Sequence, residues 1–207
     1  LSDTISLMKI SMSLGFVKFL IMPPAYYKYN DQDVFNFYSN IIKVIPDSKI
    51  ILYNFEKLSG YKFSENIVYK LVENFPDQII GVKDSSYNLF EKLKINNFSL
   101  MPGSETKLLK GLELGCSGII TATTNATASL ARDVYENFIQ KKKNNLNKKL
   151  CDVRAVFEQY NLISGLHTFF GQNDKNYENI LPPLRILNET EKNNLFNQLD
   201  ILDFKNN

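Results

Sequence analysis

Along most of the chain, short apolar runs of the strand type alternate with stretches that repeat at about 3.6 residues, the helix type. Thr4 to Ser13 carries Ile5, Met8, Ile10 and Met12, a weak helical pattern stopped by Gly15. Phe16 to Met22 reads as a strand closed by Pro23 and Pro24. Val34 to Ile45 is a helix with Val34, Phe35, Tyr38, Ile41, Ile42 and Ile45 on one side, ended by Pro46. Lys49 to Tyr53 is the next strand, and Ser64 to Phe75 a helix with Ser64 as N-cap and Ile67, Leu71 and Phe75 at i, i+4 spacing. Ile79 to Lys83 is a third strand. A short helix over Asn88 to Leu93 precedes a fourth, Phe98 to Met101. Ser104 to Leu114 is helical, and Gly118 to Ala122 gives a fifth strand.

Strand and helix alternating in this way predict parallel strands joined by crossover helices. Beyond the fifth strand the pattern changes to two long helices, Ala126 to Lys142 and Asn145 to Leu166. The break at Leu181-Pro182-Pro183 leads to a last helix, Asn188 to Leu202, with Asn188 and Glu191 at capping-box spacing. The expected organisation is an α/β body over residues 1–142 and a C-terminal helical region over 143–207. A (β/α)8 barrel takes eight strands and about 250 residues. The alternation therefore fits either an open doubly wound sheet or the C-terminal portion of a barrel.

Composition narrows the partners. The chain has 207 residues, 44% hydrophobic and 22% charged, the balance of a globular protein with a sizeable core. A net charge of +2 argues for neither nucleic acid nor anionic membrane. The run Lys141 to Lys143, diluted by asparagines, reads as a solvated helix end. Cys116 and Cys151 lack metal-ligand spacing and read as reduced thiols of a cytoplasmic protein. Phe16 to Met22 is too short to span a membrane, and the first residues lack the basic start of a signal peptide. His167, alone of its kind, reads as structural, which excludes Ser-His and poly-His metal mechanisms.

The stretch IIGVKDSS, Ile79 to Ser86, carries the chemistry. Lys83 ends an apolar, β-branched run, and lysine is seldom buried without a partner. In a parallel barrel, functional residues sit at the C-terminal ends of strands. The plainer reading is a lysine that snorkels into solvent. A free lysine amine titrates at about 10.4, so roughly one in two thousand is neutral and nucleophilic at pH 7. Desolvation or a nearby cation brings such an amine into range. Gly81, on the same face, is expected to leave space below the amine. Tyr53, at the end of the neighbouring strand, is a proton shuttle or simply a core tyrosine with its hydroxyl at the rim. Gly103, Glu105 and Thr106 after the fourth strand, and Gly118 to Asn125 around the fifth, read as turn chemistry or as a substrate site. A phosphate site in these loops is a rival reading, but GxGxxG and P-loop sequences are absent.

The segments ILYNFEKLSG, IIGVKDSS, MPGSET and GCSGIITATTN resemble four successive strand ends of the dihydrodipicolinate synthase/N-acetylneuraminate lyase family, and PAYYK its tyrosine-bearing loop. The resemblance implies a (β/α)8 TIM barrel and a class I aldolase. Lys83 would form a Schiff base with pyruvate or another 2-oxo acid, so no separate cofactor and no metal is expected. Tyr53 would relay protons, joined by Tyr27 reaching into a neighbouring subunit's site of a dimer or tetramer. Ser85, Gly103, Glu105, Thr106 and the backbone at Ile120 would contact substrate. Family members also carry three earlier strands with a glycine-rich segment and adjacent threonines, to which nothing here corresponds. The expectation is a C-terminal portion with about five strands, little active by itself.

Departures narrow the substrate. Where dihydrodipicolinate synthases have an arginine five residues past the tyrosine, Leu58 stands, and leucine cannot grip a carboxylate. Leu58-Ser59-Gly60 is closer to the sialic acid and keto-deoxy-sugar lyases. Against a true sialic acid lyase, Thr106 stands for an acid, Ala122 for a serine and Glu56 for a proline. The reading is a 2-keto-3-deoxy-sugar acid aldolase or N-acetylneuraminate lyase-like enzyme acting on a 2-oxo acid and an aldehyde. Dihydrodipicolinate synthase is the alternative within the family, and a non-catalytic 2-oxo acid-binding barrel the alternative from another class.

Overall fold

The computed structural model describes residues 1–205. In chain order the elements are α1 (Ser2–Ser13), β1 (Lys18–Ile21), α2 (Asp31–Val44), β2 (Lys49–Asn54), α3 (Glu56–Ser59), α4 (Glu65–Asn74), β3 (Ile79–Asp84) and β4 (Ser99–Pro102). They continue with α5 (Leu108–Glu113), α6 (Thr124–Ile139), α7 (Leu146–Phe157), α8 (Leu162–Gly171) and α9 (Glu189–Ile201). Two compact units result. One comprises Leu1–Gly103 with Lys110–Ile119, the other Ser104–Leu109 with the chain from Ile120 onward. Ser104–Leu109 falls in the second unit because the segment after β4 packs with the later helix α7.

In the first unit the four strands form one parallel sheet in the order β1-β2-β3-β4. The register pairs Tyr53 with Lys83 and Asn54 with Asp84, and Lys83 in turn with Met101. Along β2 burial alternates, with Ile50, Leu52 and Asn54 fully buried and Lys49, Ile51 and Tyr53 half-buried. The buried side faces the core with Val34, Tyr38, Ile41 and Ile42 of α2 and Ile67, Val68 and Leu71 of α4. Each fully buried aliphatic contributes about 1.5–3 kcal/mol from removal of its surface from water. Tyr38 resolves its buried hydroxyl by donating to the Ile21 carbonyl at 2.8 Å. The expected caps are present: Ser64 accepts from the Ile67 N–H, and Asn188 and Glu191 close a capping box on α9.

Several elements differ from expectation, each for a local reason. Gly118 to Ala122 is not a strand. Ser117 donates one ladder-type bond to the Leu100 carbonyl, but Gly115 and Gly118 take φ +88 and +146 and bend the chain out of register. Asn88 to Leu93 is a turn instead of a helix, tied down by the Asp84 carboxylate, which accepts from the Leu89 and Phe90 N–H groups. Asn145 to Leu166 is two helices: Asn161 accepts from Ile163 and Ser164 N–H and starts α8 afresh. A 3₁₀ turn at Glu105–Lys107 precedes α5. Gly81 leaves no space. A Cβ there would lie 2.5 Å from the Ser99 carbonyl oxygen, so the glycine serves the close approach of β3 to β4.

In the second unit Val153, Val156 and Phe157 of α7 and Leu166 and Phe169 of α8 form a core with Leu195 and Leu199 of α9. His167 lies in α8 with Nδ1 2.6 Å from the Tyr177 carbonyl, to which it donates. No helix among the described residues is long and apolar enough to cross a membrane.

Candidate active site

The strand ends β2 and β3 set the site in the first unit. Parallel pairing puts residue against residue, and period-two alternation sends neighbours to opposite faces. Tyr53 and Lys83 therefore share the half-buried face, while Asn54 and Asp84 share the buried one. The Lys83 ammonium stands 4.0 Å from the centroid of the Tyr53 ring, within cation–π range. The Tyr53 ring in turn stacks on Phe55 at 6.0 Å. An amine held against an aromatic face keeps its nitrogen at a fixed place on a half-buried surface. The contact orders a side chain that would otherwise snorkel freely into water.

On the reverse face every polar group is paired. The Asn54 amide donates to Asp84 Oδ1 and to Asn88 Oδ1, both at 2.8 Å, and its oxygen accepts from the Phe63 N–H at 3.2 Å. Asp84 Oδ2 accepts from the Leu89 and Phe90 N–H groups at 2.8 and 2.9 Å. Backbone bonds continue the stitching, from Ser85 N–H to the Asn54 carbonyl and from Gly103 N–H to the Asp84 carbonyl. Asn54 and Asp84 are both 0% exposed, so this saturation is what allows them to stay in the core. Sequence reasoning had the acid after Lys83 in view but gave it no role. Its signal was a carboxylate on the helix-facing side of an otherwise apolar strand.

Ser85 and Gly103 meet in the same unit. A Cβ on Gly103 would lie 2.9 Å from the Ser85 Cβ, so Gly103 is glycine because Ser85 occupies that space. Tyr27 is 68% exposed, edge-on to Tyr26 at 5.0 Å, and Tyr26 takes φ +82, a left-handed conformation that side chains adopt rarely.

In the second unit, Glu105 is 0% exposed. Its Oε1 accepts from the Thr123 and Thr127 hydroxyls at 2.6 and 2.9 Å, and its Oε2 from the Thr121 hydroxyl at 3.0 Å and Arg154 Nη1 at 3.3 Å. Both oxygens are thus engaged within the chain, which leaves Glu105 no ready acceptor for a substrate hydroxyl. Thr106 is exposed, its hydroxyl 3.0 Å from that of Ser104, and Ile120 is half-buried beside the Thr121–Thr123 turn. Sequence reasoning missed Arg154, whose only hint was a charge among the apolar positions of α7. Among the described residues no group of three or more His, Cys, Asp or Glu side chains is placed to hold a metal ion.

An uncharacterized DapA-like lyase of Chloroflexus aurantiacus is 30% identical over 146 residues, 68% of this chain and 49% of that protein. A 2-dehydro-3-deoxy-D-gluconate/2-dehydro-3-deoxy-phosphogluconate aldolase of Picrophilus torridus is 30% identical over 141 residues, 66% of this chain and 52% of that protein. The chain spans about half the length of these curated relatives. Among solved structures, the dihydrodipicolinate synthase of Cyanidioschyzon merolae with lysine bound superposes with a TM-score of 0.88 at 19% identity. That match covers 98% of this chain and 71% of the other, and it places the fold among the α/β barrels of that family as a partial barrel followed by helices. The model of the dihydrodipicolinate synthetase family matches residues 1–202, and the chain belongs to that family.

Proposed function

We propose that the chain carries the Schiff-base half of a pyruvate-dependent carbon–carbon lyase, a class I aldolase acting on a 2-oxo acid and an aldehyde. The observation that carries this reading is the Lys83 amine held 4.0 Å over the Tyr53 ring at paired strand ends. The neutral amine attacks the keto carbon. Its nitrogen forms the new bond, both amine protons leave with the carbonyl oxygen as water, and protonation of the imine gives an iminium. In the cleavage direction the C4 hydroxyl passes its proton to the Tyr53 oxygen as the phenol hands its own to water, the C3–C4 pair moves into the enamine, and the aldehyde departs. Addition of aldehyde is the reverse. Ser85 is assigned a place beside the Schiff base, Gly103 contact with substrate, and exposed Tyr27 a relay role toward the site of a second copy. Glu105, saturated by its threonines and Arg154, is read as positioning the Thr121–Thr123 turn.

Leu58, exposed on α3, favours a 2-keto-3-deoxy-sugar acid or N-acetylneuraminate lyase-like substrate over the dihydrodipicolinate synthase reaction, since it offers a second carboxylate no cation. Borohydride reduction in the presence of pyruvate tests the reading. The expected result is a reduced pyruvyl adduct on Lys83, lost in Lys83→Met with an unchanged melt. No adduct in the folded wild-type chain would leave a 2-oxo acid binder or an inert barrel segment.

A further inference from the structure

Two residues that touch no reacting atom stand directly behind the pair that does. Asn54 follows Tyr53 and Asp84 follows Lys83, so each chain-neighbour points to the opposite face of the sheet. On that face the Asn54 amide and Asp84 carboxylate bond at 2.8 Å, both 0% exposed. The remaining anchors reach in different directions. Asn54 donates to Asn88 Oδ1 and holds the Phe63 N–H, and Asp84 holds the Leu89 and Phe90 N–H groups. β2 needs such a lock, because its pairing with β3 slips by one residue at Ile50/Ile51, four residues before Asn54. Without a lock at the strand ends, a further one-residue slip would turn Tyr53 or Lys83 to the other face.

We infer that Asn54 and Asp84 are positioning residues, whose side-chain clasp fixes the register in which the Lys83 amine stands over the Tyr53 ring. The inference rests on the Schiff-base reading and adds to it the element that sets the nucleophile's place. The clasp is directional: an amide must face a carboxylate. Asn54→Asp sets two carboxylates together, and Asp84→Asn sets an amide against either the Asn54 amide or the two backbone donors. Exchanging both residues restores one donor and one acceptor within the pair, with the amide introduced by Asp84→Asn turned so that its oxygen keeps the Leu89 and Phe90 N–H groups; the donation to Asn88 Oδ1 is the one bond the exchange does not return.

The test is the rate of borohydride-trapped pyruvate adduct at Lys83 in the full chain, per folded molecule, for wild type, Asn54→Asp, Asp84→Asn, the double exchange and Val68→Ala. Val68→Ala lowers stability from the α4 core without removing a hydrogen-bonding group of the clasp, and is the control for destabilisation alone. Each single variant is expected to trap at least about tenfold more slowly. The double exchange should recover to within about threefold of wild type, and Val68→Ala should stay within about twofold while its melt falls. If the single variants do not fold, the double exchange is read against wild type, and a folded, fast-trapping double supports the clasp. A double exchange that traps slowly or does not fold overturns it, as do single variants that trap at the wild-type rate. Equal slowing in Val68→Ala would make the effect one of general destabilisation and also overturn it. If wild type itself forms no adduct, the Schiff-base reading fails first and the inference falls with it, a result distinct from all of these.

Discussion

Replacing Arg154 with methionine removes the guanidinium from a carboxylate sealed off from water, since Glu105 is 0% and Arg154 7% exposed. Nη1 of Arg154 stands 3.3 Å from Glu105 Oε2 and donates to the Thr121 and Thr123 hydroxyls at 2.8 and 2.7 Å. Deleting one partner of a buried pair costs about 3–5 kcal/mol, because the other charge is left desolvated. Three threonine hydroxyls still donate to Glu105 in the variant, which places the expected loss at the lower end, about 3 kcal/mol. For a chain of this size that lowers the thermal midpoint by roughly 6–12 °C. Far-UV circular dichroism during thermal and urea unfolding reads the loss. The pair of changes Arg154→Met and Glu105→Leu together, which removes both charges, is expected to be more stable than Arg154→Met alone. A loss below about 1 kcal/mol, the size of an exposed ion pair, would refute the buried-pair argument. So would a double variant less stable than the single one. Glu105→Gln separates the two roles considered for this residue: a lower melt marks positioning, and an unchanged melt with weakened substrate binding marks direct contact.

Further outcomes follow from single features. Gly81→Ala forces a Cβ against the Ser99 carbonyl and should cost about 1–3 kcal/mol or more in urea unfolding, where an ordinary strand glycine would gain from alanine. Burial, with a smaller push from Asp84 and against the pull of Lys94, raises the Cys116 thiol to about 11. At pH 8 roughly one molecule in a thousand then carries a Cys116 thiolate, and its alkylation should climb about tenfold per pH unit toward pH 11. Peptide mass mapping after iodoacetamide checks this; Cys116 labelling at the rate of a free thiol at pH 8 would contradict it. Asn188→Ala removes the α9 capping box and should cost about 1 kcal/mol, largely regained in Asn188→Asp, both read from the urea midpoint.

How much of this was legible in the chain depended on which interactions are local. The helices α2, α4 and α9 and their caps are written in short-range spacing, and Ser64, Asn188 and Glu191 could be read directly. The strands β1 to β4 are apolar runs bounded by prolines, glycines or charges, and were likewise readable. Gly118 to Ala122 has the composition of a strand yet makes no ladder, because register is decided by partners far away in sequence. The break at Asn161 was hidden for the opposite reason: an asparagine inside a helical pattern becomes a cap only when its side chain turns back on the backbone. Lys83 and Tyr53 were legible as candidates from their places at strand ends. The threonine cage around Glu105 was not, because it joins residues separated by up to 49 positions, from Glu105 to Arg154.

The same alternation explains why the proposed chemistry and its proposed support occupy adjacent positions. A strand end offers one face to a cavity and the other to the core, and the two faces are one residue apart. A polar side chain on the core face survives only if fully paired, and full pairing fixes geometry to within hydrogen-bond tolerance. Asn54 and Asp84 meet that condition with five bonds, one joining the pair and four reaching Phe63 and the stretch 88–90. Any movement of Lys83 relative to Tyr53 along the strand must break bonds in that set. On the Schiff-base reading, the rigidity Lys83 needs comes from the face it does not occupy, and Tyr53-Asn54 and Lys83-Asp84 each pair a proposed working residue with its proposed anchor.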